Sequence, residues 1–138
     1  MRVLMVDDHD VVRRGIRSIL SSEEGLEIVG EAAAGLEGVR KAEELKPDLI
    51  LLDISLPDIS GIDVAVRLRK SAPDSQILFL SQHDSVQAAS SALKTGARGF
   101  VAKADAAREL PVAIRTVLEG KIFLSERLSG TQPKMPLV

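Results

Sequence analysis

The sequence predicts an α/β fold, a doubly wound parallel sheet of five strands with helices on both faces. Three observations carry that expectation. Short apolar runs alternate strictly with segments of helical period, five times along the chain. The first, third and fourth runs are nearly continuous in apolar character, as strands covered on both faces must be. Aromatic residues are only 2% of a chain that is 45% hydrophobic, so Leu, Ile, Val and Ala must fill the interior. Such a core suits a sheet sandwiched by helices.

The strands are read at Arg2–Val6 (RVLMV), Leu26–Gly30 (LEIVG), Leu49–Leu52 (LILL), Gln76–Leu80 (QILFL) and Gly99–Val101 (GFV). Between them lie amphipathic helices. Val12, Ile16, Ile19 and Leu20 mark one face of the first, and Leu110, Ala113, Ile114, Val117 and Leu118 mark the last. Val86, Ala89 and Leu93 mark a weaker stripe, with Ala88 and Ala92 read as a small exposed side. Turn chemistry falls between elements, at Gly25, Lys46-Pro47-Asp48, Ser60-Gly61, Ala72-Pro73-Asp74 and Gly120. Pro111 conflicts with a last helix starting near Ala107, because it lacks the N–H that the helix interior needs. Either the helix starts near Glu109 or its first turn is irregular. After Lys121 the pattern fades. Residues 1–121 are read as one domain, and 122–138 as a C-terminal tail or the start of a linker.

Composition narrows the function classes. A chain of 138 residues fits one domain with one core. There is no cysteine, which excludes disulfides and thiolate metal sites. Eighteen basic against twenty acidic residues argue against DNA binding by this chain itself. No apolar run approaches the ~20 residues of a membrane helix, and Asp7-Asp8 interrupt the N-terminus too early for a signal peptide. The expectation is a cytoplasmic domain without membrane contact.

In open α/β sheets ligands bind beyond the carboxyl ends of the strands. There the sequence puts Asp7 and Asp8 after the first strand, Asp53 after the third, Ser81 after the fourth and Lys103 after the fifth. Clustered carboxylates repel unless a cation joins them, and hard oxygen donors suit Mg²⁺. A carboxylate can also be the nucleophile that forms an aspartyl phosphate. Phosphoryl transfer rests mainly on positioning and charge neutralisation, which Lys103 and a metal ion supply. Taken singly, each residue has a plainer reading. Asp7-Asp8 can cap a helix, Asp53 can form a turn with Pro57, Asp58 and Gly61, and Ser81 and Lys103 can be surface residues. Their joint placement is what those readings leave unexplained. His9 is read as a surface or capping residue, His83 as an exposed loop residue near the pocket mouth. Arg13, Arg14 and Arg17 are read as a solvated basic face ahead of a kinase-docking patch.

These residues resemble a known family. Asp7-Asp8, Asp53 in LLDISLPDISG, Ser81 in LFLSQ and Lys103 in GFVAKAD are similar to the motifs of response-regulator receiver domains of two-component systems, from about Arg2 to Gly120. DDHDVVRRGIRSIL, EIVGEAAAG and the absence of proline after Lys103 resemble the branch with a LuxR-type helix-turn-helix output domain. The resemblance implies a flavodoxin-like sheet of order 2-1-3-4-5. It makes Asp53 the phosphoacceptor, with Asp7, Asp8, Asp53 and the backbone carbonyl of Ser55 serving Mg²⁺. Ser81 and Lys103 become the hydroxyl and ammonium that assist, and Ser81 and Phe100 the switch positions. It also implies a histidine kinase as phosphodonor and a homodimer formed on phosphorylation. Two departures stand out: Phe100 lacks a hydroxyl, so any switch there is steric, and Gln82 is bulkier than the small residue common at its place.

Two competing functions fare worse. A haloacid-dehalogenase-type phosphatase normally carries a second Asp two residues after its nucleophile, where this chain has Ser55. A flavodoxin-like cofactor binder carries a Ser/Thr/Gly-rich phosphate loop after the first strand, where this chain has two acids. An enzyme with turnover is therefore not expected, beyond slow self-phosphorylation and dephosphorylation. Eighteen residues follow Gly120, too few for a helix-turn-helix domain. The expected role is a transcription regulator's receiver or a stand-alone regulator acting through protein contacts.

Overall fold

A computed structural model describes residues 1–82 and 85–129. Six strands form one sheet in the order β2-β1-β3-β4-β5-β6. In chain order these are β1 (Arg2–Val6), α1 (Asp10–Leu20), β2 (Glu27–Ala32), α2 (Gly35–Leu45), β3 (Leu49–Leu52), α3 (Gly61–Ser71), β4 (Gln76–Ser81), α4 (Val86–Lys94) and β5 (Gly99–Ala102). A 3₁₀ turn over Lys103–Asp105 leads into α5 (Ala106–Leu118), then β6 (Phe123–Leu124) and α6 (Glu126–Ser129). Every strand pair is parallel. The predicted α/β class and the order 2-1-3-4-5 hold.

Alternation along each strand feeds two cores. Leu4, Val6, Ile50, Leu52, Phe79 and Phe100 pack with Ala42, Val64, Leu68, Ala89 and Ala92, so α2, α3 and α4 cover one face. Val3, Met5, Leu49, Leu51, Leu78, Leu80 and Val101 pack with Ile16, Leu20, Leu110, Ala113, Ile114 and Val117, so α1 and α5 cover the other. Each fully buried Leu or Phe here contributes about 1.5–3 kcal/mol. The register is level where it matters: Val6 pairs with Leu52, Leu52 with Phe79, and Phe79 with Phe100. The carboxyl ends of four strands therefore finish side by side.

The structure departs from the sequence reading in four places. Strand β2 starts one residue later and runs on to Ala32, while β4 and β5 each gain one residue. Ala92 is fully buried rather than exposed, because Ala89 and Ala92, three apart, form the core side of a short helix that lies close to the sheet. Helix α5 starts at Ala106, not near Glu109, and holds Pro111 inside it. The carbonyl deprived of a partner belongs to Ala107, an exposed residue, so water can satisfy it. Phe123 and Leu124 form a sixth strand on β5, and Leu124 and Leu128 enter the core. A strand of two residues has no period to read. Among the described residues no helix is long and apolar enough to cross a membrane.

Candidate functional site

Each residue at the carboxyl edge is held by backbone bonds that follow from the register. Asp7 N–H donates to Ala32 carbonyl at 2.9 Å, and Asp53 N–H donates to Val6 carbonyl at 3.0 Å. The Arg13 guanidinium donates to the Asp7 carbonyl and, through Nε, to Glu31 Oε1 at 3.1 Å. Arg17 pairs with Glu31 as well, and Arg14 with Asp10. The basic face of α1 is thus largely engaged in ion pairs, and Arg13 helps to fix Asp7. Gly61 lets the loop after β3 fold back: a Cβ there would lie 2.1 Å from the Asp53 carbonyl oxygen. Its N–H donates to the Ile54 carbonyl at 2.7 Å.

The charged groups converge. Asp7 and Asp53 are 3% and 2% exposed. Lys103 Nζ lies 2.8 Å from Asp7 Oδ2 and 3.2 Å from Asp53 Oδ2. The contact to Asp53 has hydrogen-bond geometry. The closer one to Asp7 does not, and Asp7 Oδ2 is a buried oxygen that accepts no hydrogen bond. It is an ion contact without a directed bond. Burial pushes the Asp53 carboxyl above the usual carboxylate range. The Lys103 charge pulls it back, the Asp7 charge adds to the rise, and a hydrogen bond from Ser55 N–H (3.2 Å to Oδ1) again lowers it.

Ser81 ends β4, 1% exposed, in register with Ala102, the residue before Lys103. Phe100 is fully buried against the α2–α3–α4 face. Gln82 is exposed, and His83 lies outside the described residues. The structure thus brings Asp7, Asp8, Asp53 and Lys103 together, with Ser55 touching Asp53 through its N–H.

His9 was not read this way from the sequence. It stands at the N-cap of α1 but makes no capping bond with its side chain. Its Nδ1 lies 3.0 Å from Asp7 Oδ1, 3.2 Å from Asp8 Oδ1 and 3.8 Å from Asp53 Oδ2. Adjacency to Asp7 and Asp8 was the one hint in the sequence, and it does not fix where the ring turns. Asp58 is a second residue whose role was not legible. Its carboxylate accepts N–H bonds from Gly35 (2.7 Å) and Leu36 (2.9 Å), capping α2 from another loop and holding its own acid down to about 2.

Two buried carboxylates meet one ammonium with Asp8 beside them, leaving negative charge that a divalent cation could balance. The donor set, together with the undirected buried oxygen of Asp7, fits a hard metal ion. The chain matches the family model described as the response regulator receiver domain over residues 3–115. It belongs to that family. The receiver domain is 37% identical to the response regulator GacA of Pseudomonas viridiflava over 129 residues, 94% of this chain and 60% of that protein. The chain thus spans about 60% of that relative's length. A LuxR-family two-component response regulator from Aurantimonas sp. SI85-9A1 superposes with a TM-score of 0.89 at 32% identity, covering 94% of this chain and 92% of that one. The isolated receiver domain of RcsB from Salmonella enterica serovar Typhimurium, solved with the phosphomimetic BeF₃⁻, gives 0.88 at 28% identity, covering 94% and 96%. The likeness to the Aurantimonas protein supports the LuxR-type branch.

Proposed function

We propose that this receiver domain is a phosphorylation-controlled switch in which Asp53 accepts a phosphoryl group from a phosphohistidine of a histidine kinase. The observation that carries the reading is Asp53 itself, almost wholly buried at a strand end and sharing the Lys103 ammonium with a second buried carboxylate, Asp7. In the step, an Asp53 carboxylate oxygen forms a bond to phosphorus while the phosphorus–nitrogen bond to the donor imidazole breaks. The leaving nitrogen takes the electron pair. Lys103 neutralises charge on the Asp53 side of the incoming phosphoryl group, and the Ser55 N–H holds the other carboxylate oxygen in place. Ser81, at the adjoining strand end, is proposed to donate to a phosphoryl oxygen. Mg²⁺ held by Asp7, Asp8, Asp53 and the Ser55 carbonyl would supply further charge neutralisation when bound. The lack of a second Asp at position 55 argues against turnover as a phosphatase.

The output is proposed from the LuxR-type likeness: phosphorylation shifts a dimerisation surface and so controls transcription through a helix-turn-helix domain. The cell compartment proposed is the cytoplasm. The test is intact mass after incubation with acetyl phosphate and Mg²⁺. Wild type should gain one phosphoryl group, and Asp53→Asn none. Equal labelling of both removes Asp53 from its role.

A further inference from the structure

The carboxylates are not alone at the acidic edge. His9 Nδ1 stands 3.0 Å from Asp7 Oδ1 and 3.2 Å from Asp8 Oδ1. Neighbouring ligands on an octahedral ion with bonds of about 2.1 Å are separated by about 3.0 Å, and opposite ligands by about 4.2 Å. The imidazole nitrogen therefore keeps the spacing of a neighbouring ligand from two carboxylates. Its 3.8 Å to Asp53 Oδ2 falls within the opposite-ligand limit. One donor atom from each of the four residues lies within 4.8 Å of the others.

Two further observations point to a cation. The buried Asp7 Oδ2 accepts no hydrogen bond and meets the Lys103 ammonium, 2.8 Å away, without a directed bond. The His9 ring does not cap α1; its Nδ1 lies in hydrogen-bond range of Asp7 Oδ1 and 3.5 Å from Lys103 Nζ, contacts that a bound ion would replace. With 43% of its side chain exposed, it has room to adjust to a bound ion.

Donor chemistry decides which ion. Mg²⁺ prefers oxygen ligands and keeps its waters, and it gains little from an imidazole. Imidazole suits Ni²⁺, Cu²⁺, Zn²⁺ and Fe²⁺, and affinity for such mixed sites climbs toward Ni²⁺ and Cu²⁺. We propose that His9 Nδ1 binds the cation directly, so that the edge formed by Asp7, Asp8, His9 and Asp53 takes a transition-metal dication more tightly than Mg²⁺. This rests on the reading of the three carboxylates as a metal site. Metal choice, and with it the rate at which Asp53 is phosphorylated, then depends on a residue outside the carboxylate set.

The experiment is calorimetric titration of the full chain with Mg²⁺ and with Ni²⁺, for wild type, His9→Ala and His9→Gln. Wild type should bind Ni²⁺ at least about tenfold more tightly than Mg²⁺. Both variants should lose about tenfold or more for Ni²⁺ and stay within about twofold for Mg²⁺. His9→Gln keeps side-chain bulk and serves where His9→Ala is unstable. In a His83→Ala background His9 is the one imidazole of the chain, and Zn²⁺ should move the ¹⁵N resonance of its Nδ1. An unmoved Nδ1 under saturating Zn²⁺, or unchanged Ni²⁺ affinity in both variants while Mg²⁺ still binds, overturns the role of His9 and leaves the carboxylate site standing. Failure of wild type to bind either ion overturns both.

Discussion

Asp53 and Asp7 are nearly excluded from water, and Lys103 reaches both of them while standing fifty residues further along the chain than Asp53. Two acids against one ammonium leave the metal-free edge under electrostatic stress. The raised pKa of Asp53, a weaker acid through burial, sets the sign of that stress. A carboxyl raised in the folded state costs stability as pH climbs from the ordinary carboxylate range through the folded value, and the cost persists at neutral pH. Asp53→Asn should therefore raise the metal-free melting midpoint at pH 7 by roughly 2–4 °C, or about 1 kcal/mol. Thermal melts with Mg²⁺ should narrow the gap, because the ion stabilises wild type more. A lower midpoint for Asn in metal-free buffer would contradict this account. The acids, the lysine and the serine were all legible as residue types at strand ends. The place of His9 was not, because adjacency to two acids says nothing about where a ring turns.

At the scale of elements, two contacts between distant segments position the edge. Asp58 caps α2 from the β3–α3 loop, where the helix's own N-cap, Ala34, has no side chain to do so. Its acid is depressed to about 2 from 3.8, so the stability it supplies is fully present above about pH 4 and is lost as pH falls through about 2. Asp58→Asn should flatten that limb of the acid-unfolding curve, followed by circular dichroism between pH 1.5 and 5. An unchanged curve would remove Asp58 from the cap. The second contact is Ser125, fully buried, whose Oγ accepts the Ala102 N–H at 2.8 Å and donates to Glu109 Oε1 at 2.7 Å. Glu109 Oε2 also accepts the Glu126 N–H at 2.9 Å, and Arg127 pairs with Asp105 at 2.7 Å. Ser125→Ala leaves two buried polar groups short of a partner and should cost about 2 kcal/mol in urea unfolding. A loss below about 0.5 kcal/mol would show that water replaces the hydroxyl. Short apolar runs exposed the five longer strands, and an apolar residue every three to four positions exposed the face of α5. Neither pattern could expose β6, the trans cap or the Ser125 bridge. Each of those is made by one or two residues whose partners lie far off in sequence.

At the scale of the molecule, the level ends of β1, β3, β4 and β5 join the acids to Ser81 and Lys103 across the sheet. A change of charge at Asp53 acts first on Lys103, and from there on β5 and the segment that follows β4. Beryllofluoride with Mg²⁺ should therefore shift amide resonances throughout residues 81–110, including Phe100 deep in the core. Shifts confined to the residues that touch Asp53 would overturn the switch.

The same wide spacing has a consequence for how the protein comes into being on the ribosome. Asp7 and Asp53 leave the exit tunnel before Lys103, whose ammonium contacts both of them. Until then a nascent chain carries the acids without their counter-charge. No N-terminal fragment that stops before Lys103 can hold the assembled edge. The charged edge is thereby completed only when Lys103 emerges, after both of the acids it contacts.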